Sequence, residues 1–149
     1  MTQIWDESLT WAKYHLSTTR RLIENYYNYE EKRFLIGIIN ELALTASHTI
    51  NAFLLYSNKT QNTKISTKAN ERIKTFKTKI TQKIISQKNS DNLIEILNIK
   101  KAQKASPIQY QKKEKVLLLI KGEYKTISIE ALKDLVNSIS EIIKNFPKL

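Results

Sequence analysis

The longest apolar stretch of the chain, residues 30–56, constrains the fold more than any other feature. It contains no proline and a single glycine, Gly37. Read as a helix, it carries two adjacent apolar stripes, Phe34, Ile38, Leu42, Thr45, Thr49 and Phe53 in one and Leu35, Ile39, Ala43, Ala46, Ile50 and Leu54 in the other. This face is wider than a surface helix needs, which predicts a helix about 40 Å long that is surrounded by other helices.

Four further segments have helical periodicity and predict helices that pack around the central one, over residues 4–27, 67–87, 91–104 and 129–145. Ser66, Ser90 and Ser128 (or Thr126) stand where N-caps are expected. The short connection 26–33 makes the first two helices antiparallel neighbours. Residues 57–66 are polar and aperiodic, which predicts a loop.

The segment before the last helix indicates a different local structure. Ser106 and Pro107, with Gln109 following, are typical of a capping box and one helical turn. Two short apolar runs then flank Lys121 and Gly122, which favours a β-hairpin, with a helix over residues 107–128 as the alternative. The predicted fold is therefore one mainly-α domain over residues 1–149, an antiparallel bundle of about five helices with a small β-hairpin before the last helix.

Positive charge is concentrated in the middle of the chain. The net charge is +11, but residues 58–125 hold seventeen Lys/Arg and five Asp/Glu, a net charge of +12, and the flanking segments are close to neutral. Such a block can neutralise phosphates, although a lysine-rich solvated surface is the alternative. The candidate nucleic-acid contacts are Lys68, Arg72, Lys74, Lys77, Lys79, Lys83, Lys100, Lys101, Lys104, Lys112 and Lys113.

Several classes of function lack their signatures in this sequence. With two glycines there is no phosphate-binding loop or dinucleotide-binding turn, and with no cysteine there is no disulfide or thiolate metal site. We therefore expect no catalytic residue, no metal and no cofactor. The acidic N-terminus is unlike a secretory signal, and polar residues interrupt the central apolar run, so we expect a cytoplasmic protein with no membrane association.

One polar strip interrupts the central helix. Glu41, His48 and Asn51 lie near one another on it, and His15 of the first helix could meet His48 if the two helices are antiparallel. A histidine in such a strip can handle protons or phosphate. The alternative is a structural histidine that forms a hydrogen bond with a neighbouring helix.

The long helix pair followed by shorter helices resembles the HEPN superfamily of helical domains. The stretch from NLIEILNIKK to SEIIKNF is also similar to the C-terminal part of small archaeal proteins of uncertain function. In the nuclease branch of the superfamily an arginine precedes a histidine by about five to seven positions, up to two helical turns. Arg20, Arg21, Arg33 and Arg72 are the only arginines, and none precedes a histidine at that spacing. The resemblance thus implies a member without nuclease activity.

These observations predict a non-catalytic helical module that contacts RNA or another polyanion through its basic middle segment. The first alternative is a protein-interaction or homodimerisation domain of a larger complex, because the first two helices are very apolar. The second alternative is a HEPN-like ribonuclease that uses His15 or His48.

Overall fold

Five α-helices and a three-stranded antiparallel meander make up the described part of the chain. A computed structural model describes residues 2–29, 32–105, 110–112, 115–120 and 122–147. The elements are α1 (Asp6–Tyr29), α2 (Lys32–Gln61), α3 (Ala69–Thr75), a π-helical turn (Phe76–Ile80), α4 (Gln87–Ala105), β1 (Tyr110–Lys112), β2 (Lys115–Ile120), β3 (Glu123–Ser128) and α5 (Ile129–Lys144). The predicted mainly-α helical bundle is confirmed.

Helix α2 occupies the centre of the bundle, as its two apolar stripes predict. It packs against α1, α4, α5 and the π-helical turn. Leu35, Ile38, Leu42 and Leu54 are fully buried on it, and so is Phe53 at 1% exposure. None of the described helices is both long enough and apolar enough to cross a lipid bilayer.

Hydroxyl groups buried between the long helices are satisfied within their own helices. Thr19, Thr45 and Thr49 are completely buried. Each donates its hydroxyl to the carbonyl four residues earlier, Thr45 to Glu41 at 2.9 Å and Thr49 to Thr45 at 2.7 Å. Because these hydroxyls need no partner on another helix, threonine can replace an aliphatic side chain in an apolar stripe.

The predicted hairpin is present and belongs to a larger sheet. Strands β2 and β3 pair antiparallel from Lys115 opposite Ser128 to Ile120 opposite Glu123, and Gly122 has a φ of 80° beside the turn. Strand β1, which the sequence did not predict, extends the sheet on the other side of β2. Leu118 is fully buried and anchors β2 to the core. The predicted turn at residues 106–109 lies outside the described residues.

The last helix begins and ends close to its predicted limits. Ser128 has extended backbone angles, and its side chain accepts a hydrogen bond from the backbone N–H of Ala131, so it is the predicted N-cap. Buried apolar side chains recur along one face of α5 at the predicted spacing. This face packs on α1, α2 and α4.

The predicted loop over residues 57–66 is wrong in its first half, because α2 continues to Gln61. The helix then ends at Asn62, whose φ is 55°. The hydroxyls of Ser57 and Thr63 form a buried 2.6 Å hydrogen bond across this end, and the side chain of Asn58 donates to the carbonyl of Thr63. These polar side chains therefore hold the last helical turn instead of forming a loop.

The predicted third helix is also wrong at its C-terminal end, since helical structure stops at Ile80 and not near residue 87. The backbone N–H of Thr81 donates to the carbonyl of Phe76. The hydroxyl of Thr81 forms a 2.6 Å hydrogen bond with the hydroxyl of Ser90. The next residue, Gln82, has a φ of 67°. The chain reverses here, and α4 begins at Gln87, earlier than predicted. Ser90 therefore lies inside α4 and does not cap it.

The predicted cap at Ser66 is replaced by a different contact. Residue Lys68 occupies the N-cap position of α3, and its side chain makes no capping bond. The Ser66 hydroxyl accepts from the backbone N–H of Lys68 and donates to the Glu71 carboxylate. This hydroxyl thus supports the entry to α3 from outside the helix.

Candidate functional site

A hydrogen bond between a histidine and a carboxylate joins the two long helices on their outer side. The Nδ1 atom of His15 on α1 lies 2.6 Å from Oε2 of Glu41 on α2. The side chains are 14% and 24% exposed. An ionised carboxylate can only accept, so Nδ1 is the donor, and in the neutral ring Nε2 is left as an acceptor. The antiparallel packing of α1 and α2 thus orients one imidazole with a free nitrogen.

The second histidine lies against the first. The ring centroids of His15 and His48 are 5.5 Å apart, and their planes differ by 4°. Burial, followed by the nearby His15, lowers the pKa of His48 below its ordinary value of 6.5. Its imidazole therefore binds a proton less readily than a free imidazole does.

An exposed tryptophan completes the group. Trp11 lies 6.1 Å from His15 and 6.3 Å from His48 between ring centroids, with planes within 27° of both. Its side chain remains 44% exposed, and Tyr14, which is 54% exposed, meets it edge-on. We call Trp11, His15, Glu41 and His48 the histidine–tryptophan cluster. It presents aromatic and imidazole surface to solvent on one face of the α1–α2 pair.

The third residue of the predicted polar strip belongs to a different network. The amide of Asn51 donates to the Ser8 hydroxyl at 2.7 Å and accepts from the Arg72 guanidinium. Arg72 also donates to the carbonyl of Ser66. The three residues of the predicted strip therefore belong to two networks. Glu41 and His48 both contact His15, whereas Asn51, one helical turn from His48, connects α3 to α1.

The basic residues predicted from the sequence occupy several surfaces. Lys68, Lys74, Lys77, Lys79 and Lys83 are exposed on and beside α3 and the π-helical turn, and Lys101 and Lys104 are exposed on α4. Lys100 is half-buried and donates to the side chains of Asn40 and Gln103. Lys112 lies on β1 with its side chain outside the described part, and Lys113 lies outside it altogether.

The two flanks of α3 differ in their electrostatic surroundings. On one flank Arg72, one helical turn after Lys68, contacts Asn51 of α2. On the other flank Lys77 shares a surface depression with Asp91 and Glu95 of α4. Acidic side chains therefore interrupt the positive surface on the side that faces α4.

Neither Trp11 nor Ser8 was predicted from the sequence as part of a site. Trp11 lies beside the apolar stripe of the first helix, where a large aromatic side chain is expected to be covered. Its spacing of four from His15 was the available signal, because residues four apart share a helix face. The expectation that His15 could meet His48 across antiparallel helices agrees with the stacked rings.

The side chains of the cluster are of the types that can exchange protons and stack on planar rings. Across the described ranges no three His, Cys, Asp or Glu side chains converge closely enough to hold a metal ion. Comparison with protein-family models, with curated proteins and with solved structures found no match to this chain.

Proposed function

We propose that the protein binds single-stranded RNA, with the lysines of α3 and the π-helical turn contacting phosphates and Trp11 stacking on an unpaired base. The observation that carries the proposal is the hydrogen bond from Arg72 to Asn51. It joins α3 to Asn51, whose amide also donates to Ser8, and Ser8 lies one helical turn before the exposed Trp11 on α1. Phosphate contacts and a stacking platform are the two components that single-strand binding requires.

The exposure of the cationic side chains supports phosphate contact. Lys68, Lys74, Lys79 and Lys83 are exposed, and none of them has an ion-pair partner among the described residues. Unpaired lysines bind phosphate without first breaking an internal ion pair. In the proposed setting, the cytoplasm, RNA is the polyanion with many unpaired bases.

The exposed indole supports base stacking. The imidazole rings of His15 and His48 stack against Trp11 and restrict its rotamers. Little side-chain entropy is therefore lost when a base stacks on the indole. A protein that only binds phosphates requires no aromatic platform. Preference for single strands over duplexes is therefore part of the proposal.

The proposal is tested by fluorescence anisotropy of a labelled single-stranded RNA, an RNA hairpin and a DNA duplex over a salt series. We expect the single strand to bind most tightly, with an affinity that falls steeply as salt rises. The triple variant Lys68→Glu, Lys74→Glu, Lys79→Glu removes this binding. The matched control Lys13→Glu, Arg21→Glu, Lys144→Glu changes the net charge equally on other surfaces. Equal weakening by both triples, or no preference for the single strand, contradicts the proposal.

A second candidate function is self-association through the α1–α2 face. Trp11, Tyr14 and Leu44 are 44%, 54% and 43% exposed, and Leu44 lies one helical turn from His48 on α2. This face belongs to the part of the chain with almost no net charge, so two copies can approach without the repulsion of the basic segment. Sedimentation equilibrium of the native chain and of Leu44→Glu tests it. A native dimer that the variant converts to a monomer supports the candidate, and a native monomer at all concentrations excludes it.

RNA cleavage, with membership of the HEPN superfamily, is a further alternative that the same samples test. The oriented His15 and the neighbouring His48 could act as an acid–base pair. If so, labelled RNA is shortened by the native chain and stays intact with a folded His48→Gln variant. Intact RNA after incubation with the native chain excludes this activity for that substrate.

A further inference from the structure

A groove of about 690 Å³ runs between α1 and the C-terminal end of α5. Leu9, Lys13, Leu16 and Arg20 line it from α1, at spacings of three and four that place them on one helix face. From Leu9 to Arg20 this face extends over about 16 Å. The volume lies within the range of about 300–1,000 Å³ that is usual for small-molecule sites.

The floor of the groove is aromatic and apolar. Trp5 and Phe146 are 3% and 7% exposed, and their ring centroids are 6.2 Å apart. Leu16 and Ile143 continue the floor along the two helices. An apolar ligand body placed here would contact well-packed side chains that cannot collapse to fill the groove themselves.

The rim of the groove is cationic. Lys13, Arg20 and Lys144 line it, and none of them has an ion-pair partner in the described ranges. Arg20 uses one amino group to donate to the Ser140 hydroxyl at 2.9 Å, which orients the guanidinium and leaves its other N–H groups as donors.

The single acid of the lining is already engaged. Oδ2 of Asp6 accepts from the backbone N–H of Gln3 at 2.6 Å at the start of α1. A further cation, Nζ of Lys59, lies 5.5 Å from the ring centroid of Trp5. Positive charge therefore exceeds negative charge along the groove.

We infer that this groove binds a small anionic amphiphile, a carboxylate, phosphate or sulfate head on a short apolar body. The head would take the remaining donors of Arg20 and the ammonium groups beside it, and the body would cover the floor between α1 and α5. A neutral amphiphile would contact only the apolar floor, and a short anion would contact only the cationic rim. Each should therefore bind more weakly than an anionic amphiphile. The inference is independent of RNA binding, since it involves neither α3 nor the histidine–tryptophan cluster.

The test uses the emission of Trp5 in the full chain. The chain has two tryptophans, so Trp11→Phe leaves the groove residue as the only indole. Titration with octanoate should change this emission saturably with one site per chain. Octanol and acetate, which reproduce the tail and the head separately, should each bind at least about tenfold more weakly.

Charge-removing variants separate the groove from nonspecific uptake. Arg20→Gln with Lys144→Gln should weaken octanoate by at least about tenfold and leave octanol unchanged. The control pair Arg21→Gln with Lys101→Gln removes two exposed cations elsewhere and should leave octanoate binding unchanged. Equal affinity for octanoate and octanol, no saturable change in emission, or equal effects of the two double variants would overturn the inference. Comparison with octyl phosphate, whose tail is as long as that of octanoate, then distinguishes a phosphate head from a carboxylate head.

Discussion

Trp11 of α1 and His48 of α2 stack with ring centroids 6.3 Å apart and planes 25° apart. Trp11 is 44% exposed, whereas burial lowers the pKa of His48. On this face of the α1–α2 pair, the indole is therefore exposed to solvent and the imidazole beneath it is partly buried. The accessibility of Trp11 makes this pair the first place to test for function.

Replacing Trp11 with alanine should weaken binding of single-stranded RNA by about tenfold, because stacking on one aromatic side chain contributes about 1–3 kcal/mol per base. The salt dependence should remain, since no phosphate contact is lost. Anisotropy over a salt series measures both quantities. Tyr29→Ala removes an aromatic ring that is even more exposed, at 65%, from the far end of α1 and should have no effect. An unchanged affinity in Trp11→Ala would show that the indole has no part in binding.

Replacing Glu41 with glutamine should change the tautomer of His15 while costing only about 1 kcal/mol of stability. The amide keeps the shape of the side chain but loses the charge that favours Nδ1–H. Nitrogen NMR of the imidazole reports the proton position, and urea denaturation reports the free energy of unfolding. Glu24→Gln, on an exposed position of α1, is the control. A native chain in which Nδ1 of His15 carries no proton would contradict the assigned donor.

Acidification should destabilise the native chain through His48. Its pKa is lower in the folded state than the ordinary 6.5, so below that pH the unfolded chain binds more protons than the folded chain. The free energy of unfolding therefore falls as the pH decreases from 6.5 and levels off below the folded-state pKa. Urea denaturation across this range should show a flatter profile for His48→Gln. Parallel profiles for the variant and the native chain would rule out the depressed pKa.

Replacing Gly37 with alanine should stabilise the protein slightly, by about 0.5–1 kcal/mol. Alanine restricts the unfolded chain and favours the helix. The added Cβ would lie 3.3 Å from Cδ1 of Leu22, the end of a half-buried side chain that can shift by a rotamer adjustment. Thermal denaturation measures the effect. The bulkier Gly37→Leu should be destabilising, and a lower melting temperature for Gly37→Ala would mean that Leu22 cannot move.

The position of α2 and the buried face of α5 could be predicted from periodicity, because burial of a helix face depends on the spacing of apolar residues within the helix itself. Thr45 and Thr49 did not disturb that prediction, since their hydroxyls bond to carbonyls of the same helix. The N-cap at Ser128 was likewise a local property.

The ends of α2 and α3 could not be predicted, because contacts between separate residues decide them. The hydroxyl pair of Ser57 and Thr63 extends one helix beyond its expected end. The pair of Thr81 and Ser90 accompanies the reversal that ends the π-helical turn. In each case a buried side-chain hydrogen bond favours a backbone geometry that local propensity does not specify.

The sequence by itself determined that a long apolar helix lies at the centre of a mainly-α bundle, that positive charge is concentrated after it, and that a polar strip with Glu41, His48 and Asn51 crosses it. Tertiary structure alone decided which partners those three residues have. Packing of α1 against α2 places His15 between Glu41 and His48, while α3 draws Asn51 to Arg72. The periodicity of a helix determines which of its side chains share a face. The side chains that contact them from other helices depend on how the whole core packs.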